Sequence, residues 1–155
     1  MAYMIRGLDP ASFEHLFGLS DAALAEHNAV RRRADTKPGF PCRVTLEDAE
    51  PGEDLILLNH QHLPVDSPYR GSYAIYVREG ATEAAEYRDA VPLQLARRLL
   101  ALRAFDDEGM LLKADVIDGS ELDAVIEPWL ADPAVAYLHA YNAKPGCFAA
   151  RIDRG

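Results

Sequence analysis

The chain has 155 residues, 49% of them hydrophobic and 26% charged, with a formal net charge of −9. One domain takes ~100–200 residues, so the length predicts a single domain over 1–155. The proportions are those of a chain that folds around a core and exclude a disordered one. The acidic balance repels phosphate, and only Arg31-Arg32-Arg33 and Arg97-Arg98 cluster, which argues against nucleic acid as a partner.

No apolar run approaches the ~20 residues needed to cross a bilayer, so no membrane partner is expected. The start, Met1-Ala2-Tyr3-Met4-Ile5-Arg6, lacks the basic residues and long apolar core of a signal peptide. The expectation is a cytoplasmic protein in a reducing compartment. Two cysteines, Cys42 and Cys147, are too few for a disulfide framework.

Tyr3 to Leu8 reads as a first strand, closed by Asp9-Pro10. Ser20 or Asp21 caps a helix whose apolar face includes Leu19, Ala22, Ala23, Ala29 and Val30, and Arg31 to Arg33 read as its basic C-terminal end. Val44-Thr45-Leu46 reads as a short extended piece. Asp54 to His60 and Ser72 to Val77 read as strands, rich in β-branched, aromatic and other apolar residues. Ala81 to Asp89 is ambiguous, with Ala and Glu favouring helix and Thr82 a candidate cap.

Arg97 to Phe105 and Met110 to Ile117 predict a hairpin around Asp106-Asp107-Glu108-Gly109. Ser120 and Asp123 resemble a capping box for the clearest helix, whose stripe is Leu122, Val125, Ile126, Trp129 and Leu130. Val135 to Tyr141 and Cys147 to Ile152 predict a second hairpin, turning at Lys144-Pro145-Gly146. The fold class is α+β: a mostly antiparallel curved sheet of about six or seven strands, with two or three helices packed on one side.

Three phrases stand out: Phe40-Pro41-Cys42-Arg43, Ser67-Pro68-Tyr69-Arg70 and Asn142-Ala143-Lys144-Pro145-Gly146-Cys147-Phe148. In this order and spacing the chain resembles a bacterial family known as domain-of-unknown-function family 1203, from about Ile5 to about Arg154. The resemblance implies a compact bacterial protein. It carries over no activity, cofactor or catalytic residue, so the cofactor stays unassigned.

Three constellations could carry chemistry. His60 and His62 share one face of an extended segment, and His139 from another strand would complete a three-His metal site with an open water position. The plainer reading is two half-exposed imidazoles at a strand end. Cys42, beside Arg43, and Cys147 are candidate thiol nucleophiles, because a nearby cation favours the thiolate. The plainer reading is two buried, inert fillers.

The third constellation is a polar and aromatic wall. Tyr137, His139 and Tyr141 share one strand face, as do Cys147, Ala149 and Arg151. Pairing of Tyr141 near Cys147 would merge them, leaving Ala136, Leu138, Ala140, Phe148 and Ile152 as core. Such a wall is how small-ligand pockets are lined, and an Arg fork in it suits a carboxylate or phosphate. The plainer reading is a solvated face with ordinary cross-strand pairs. The candidate ligand-binding set is Cys42, Arg43, His62, Tyr69, Arg70, His139, Asn142, Cys147 and Arg151.

Two functions stay open: a small-molecule binding or accessory protein, and an enzyme with a His-bound metal or Cys thiolate at the same place. A homodimer with a structural role is a third reading, because short edge strands are ready partners for pairing.

Overall fold

The computed structural model describes residues 2–155. Nine strands among the described residues form two antiparallel sheets. The larger sheet contains β1 (Tyr3–Arg6), β5 (Glu86–Arg88), β6 (Leu99–Phe105), β7 (Leu111–Asp118), β8 (Tyr137–Asn142) and β9 (Phe148–Arg154), in the order β5-β1-β9-β8-β6-β7. The smaller contains β2 (Val30–Arg33), β3 (Asp54–Leu63) and β4 (Gly71–Arg78), in that order. The helices are α1 (Asp21–Glu26), α2 (Leu93–Ala96) and α3 (Leu122–Leu130). None is long and apolar enough to cross a membrane.

One face of the larger sheet is apolar because alternate residues point the same way. Leu100, Leu102 and Ala104 of β6, Leu138 and Ala140 of β8 and Ile152 of β9 pack there against Leu122, Ile126, Trp129 and Leu130 of α3. The smaller sheet buries Ile56, Leu58, Ile75 and Val77 in a second core with Leu24 of α1, Phe13 and Cys42.

Both predicted hairpins form, β6–β7 and β8–β9. Three local readings change, and the ambiguous stretch 81–89 resolves as extended. α1 is capped by Ser20, whose hydroxyl accepts the N–H of Ala23, but it stops at Glu26. Asn28 then turns with φ 55°, and the three arginines form strand β2 rather than a helix end. Across the sheet they meet acids: Arg31 binds Glu79, and Arg33 binds Asp54.

The stretch 81–89 is not helical; Glu86–Arg88 pairs with β1, so tertiary pairing overrides local helix preference. Asp118 rather than Ser120 caps the turn that leads into α3, accepting the N–H of Ser120 at 2.9 Å. Residues 43–45 form a turn, so the extended piece expected at 44–46 is absent from the described structure. That turn closes when the N–H of Leu46 donates to the carbonyl of Cys42 at 3.1 Å.

Candidate functional site

Arg43 lies on the segment that joins the two sheets. Its N–H donates to the carbonyl of Tyr76 in β4, and its own carbonyl accepts the N–H of Leu8, just beyond β1. The side chain is only 1% exposed. Nε donates to the carbonyl of Phe148 at 2.7 Å, Nη1 to the carbonyl of Pro41 at 2.6 Å, and Nη2 to Sγ of Cys147 at 2.9 Å. A guanidinium has five N–H donors, so two remain beyond these three contacts. Among the described residues no carboxylate pairs with it, which is unusual, because arginines are rarely fully buried without a partner anion. Burial holds its pKa below the ordinary arginine value, and Cys147 is the strongest opposing influence.

Cys147 reaches Arg43 because of a bulge. In the β8–β9 ladder, Leu138, His139 and Ala140 pair with Ile152, Arg151 and Ala150, and then Tyr141 pairs with Phe148. Ala149 is the extra residue. A single inserted residue reverses the facing of everything beyond it. Ala149 and Ala150 therefore both enter the core against α3, Phe148 joins the face of His139 and Tyr141, and Cys147 leaves that face. The expected wall thus forms without Cys147, and Phe148 belongs to the wall rather than to the core behind it.

Cys147 instead meets Asn142, whose Nδ2 lies 3.7 Å from the sulfur and whose Oδ1 is buried without a hydrogen-bond partner. Gly146 (φ 79°) makes the tight turn that brings the two together, and the N–H of Asn142 donates to the carbonyl of Cys147 at 2.9 Å.

Arg43, Asn142 and Cys147 line a cleft of about 550 Å³ between the sheets. Leu57, Ala74 and Tyr76 of the smaller sheet form one wall, with Tyr73 at the rim. Among the described residues, Arg97, Arg98 and Lys144 complete a set of four lining cations, and no Asp or Glu lines the cleft. Asp48, behind Arg97 and Arg98, is the nearest balancing charge: its carboxylate accepts from Arg98 at 2.6 and 3.1 Å and from Arg97 at 3.4 Å. That pairing fixes the two guanidinium groups at the mouth.

The imidazoles form a separate layer. His62 stacks on Phe148 with ring centroids 5.5 Å apart, and His139 packs edge-on against Phe148 at 5.0 Å. His60 lies between Phe13 and Phe148. Nδ1 of His139 shares a hydrogen bond of 3.0 Å with the hydroxyl of Tyr141. Desolvation, reinforced by His62, Arg151 and Arg103, holds the His139 pKa down to about 3, so the ring is neutral at physiological pH.

Among the described residues, no group of three or more His, Cys, Asp or Glu side chains gathers to hold a metal ion. The imidazoles of His62 and His139 are 6.2 Å apart, and aromatic rings crowd both. The His layer acts as packing between sheets.

The remaining expected residues lie outside the cleft. Cys42 is fully buried in the second core, its sulfur accepting the N–H of Arg78 at 3.2 Å. Tyr69 is exposed and packs edge-on to Phe105. Arg70 faces Asp66 on the same loop. Arg151 sits opposite His139 in the ladder, with its guanidinium 4.0 Å from the Tyr137 ring centre. Sequence reasoning passed over Tyr73, Tyr76, Arg97, Arg98 and Lys144 as site residues. The signal for three of them was visible as the Arg97-Arg98 pair and the Lys144-Pro145-Gly146 turn.

These features define an antiparallel α+β protein whose two sheets are joined through a buried arginine at the floor of a cationic cleft. Residues 39–154 match the family described as "Protein of unknown function (DUF1203)", and the chain belongs to that family. All three phrases noted in the sequence fall inside the matched span. No curated protein and no solved structure matches the chain.

Proposed function

We propose that the protein binds a small anionic ligand, a carboxylate or a phosphate, in the Arg43 cleft. The observation that carries this reading is the charge of the lining: four cations and no acid, in a chain whose net charge is −9. Asp48 balances one of the two mouth arginines, so the lining keeps an excess of positive charge that favours an anion, and guanidinium forks match carboxylate and phosphate oxygens. The aromatic and apolar wall of Tyr76, Ala74 and Leu57 suits the body of a small organic molecule. Free thiols at Cys42 and Cys147 suit a reducing compartment such as the cytoplasm.

The test is thermal unfolding with increasing inorganic phosphate or citrate at fixed ionic strength. A ligand that binds only the folded state raises the melting temperature with its concentration. The rise should be largely lost in Arg98→Gln and in Lys144→Gln. An equal rise in the wild type and both variants, or no rise with either anion, would defeat the reading.

A further inference from the structure

We propose that Cys147 is a nucleophilic thiol, and that the Arg43 cleft presents it to small carboxylate-bearing electrophiles. This rests on the anion-binding reading and adds a covalent step to it.

The two free cysteines differ in setting. Cys42 is sealed in the core, and its sulfur takes main-chain N–H groups of Arg78 and Thr45. Cys147 lines the cleft, and its sulfur takes a charged N–H from Arg43. The thiolate is the nucleophile in thiol chemistry, and an N–H carried by a full positive charge is the partner a sulfur anion takes. The remaining acceptors of Arg43 are two neutral carbonyls, so among the described residues the Cys147 sulfur is the one ionisable group that its guanidinium hydrogen-bonds.

Asn142 is the independent sign of a ligand. It is 6% exposed, lines the cleft, and keeps an unpartnered Oδ1 on the same amide whose Nδ2 lies 3.7 Å from the sulfur. Buried acceptors are normally satisfied, and an O–H or N–H on a bound molecule would satisfy this one.

In the step itself, the thiol proton passes to water and the ligand carboxylate rests against the cations at the cleft mouth. A sulfur lone pair forms a bond to the electrophilic carbon of the ligand. The bond from that carbon to its leaving group breaks, and the electron pair departs with the leaving group. No oxidant or reductant is needed.

Iodoacetate and iodoacetamide test this directly, because they share the reacting carbon and the leaving iodide and differ in the carboxylate. In the folded protein, the rate ratio of iodoacetate to iodoacetamide at Cys147 should exceed the ratio for free cysteine by about tenfold. Peptide mapping should place the label on Cys147, with Cys42 unlabelled until the chain is denatured. Inorganic phosphate should slow the labelling, and Lys144→Gln should lower the ratio. Labelling of Cys147 only after denaturation, or at the free-cysteine ratio, overturns the proposal. A phosphate titration of Cys147→Ser then separates the causes. Retained phosphate binding means that only the nucleophile is wrong, and its loss in both Cys147→Ser and the wild type means that the cleft reading has fallen as well.

Discussion

Arg43 donates from Nη2 to the sulfur of Cys147 at 2.9 Å, across 104 residues of chain. The same guanidinium holds the carbonyls of Pro41 and Phe148, so one side chain fastens the segment between β2 and β3 of the smaller sheet to the last strand of the larger. Structure and site are therefore coupled through Arg43.

Arg43→Leu leaves two buried carbonyls without donors and should cost about 3 kcal/mol. Arg43→Lys keeps a charge but not the fork, and should cost about 2 kcal/mol. Urea unfolding reads both. A midpoint unmoved by Arg43→Leu would show that the guanidinium fastens nothing.

His139 should make the fold acid-sensitive. Its folded pKa of about 3 lies below the ordinary 6.5, so the unfolded chain takes up the proton first. Its stabilising contribution is complete above that ordinary value and drains away as the pH falls towards the folded one. Between pH 7 and pH 5 the loss from this residue is about 2 kcal/mol. In His139→Phe the fall in urea midpoint over that interval should be clearly smaller than in the wild type.

Glu79 also makes the fold acid-sensitive, through an ion pair rather than through burial. Arg31 binds both its oxygens, at 2.9 and 2.8 Å, and the N–H of Gly18 adds a third bond at 2.7 Å. The Arg31 hydrogen bonds, followed by that of Gly18, hold its carboxyl below the usual carboxylate value. The stabilisation is present above the unfolded value of about 4.3 and is lost as the pH falls through the lower folded one. Glu79→Gln should cost about 1 kcal/mol at pH 7, allowing for partial solvent screening. The gap between wild type and variant should narrow in acid; a constant gap from pH 7 to pH 3 would count against the pairing.

Gly7 sets the position of the Arg43 segment. A Cβ there would stand 1.9 Å from the carbonyl oxygen of Val44, which is main chain and unable to swing aside. Gly7→Ala should push that segment outward, cost about 2–3 kcal/mol and weaken phosphate binding in the cleft. Native stability with normal phosphate affinity would show that the backbone absorbs the methyl group.

Much of the fold is visible in local pattern. The period-two alternation of Leu100, Leu102 and Ala104, the stripe of α3 and the Pro-Gly turns mark their elements without help from distant residues. Arg31 to Arg33 and Glu86–Arg88 are different. Their own residues suggest helix, and only pairing with β3 or with the edge of β1 makes them strands.

Of the nine residues expected at the site, Arg43, Asn142 and Cys147 do meet in one cleft. Their phrases carried that much. The division of the rest depends on a single unpaired residue, Ala149, which turns Phe148 towards the imidazoles and Cys147 towards the arginine. Chain order determined the hairpins, the last helix, the α+β class and the family. Tertiary structure alone decided which faces coincide and which charge is buried. Register slips and burial arise from contacts between segments far apart in the chain, and no local window of residues contains them.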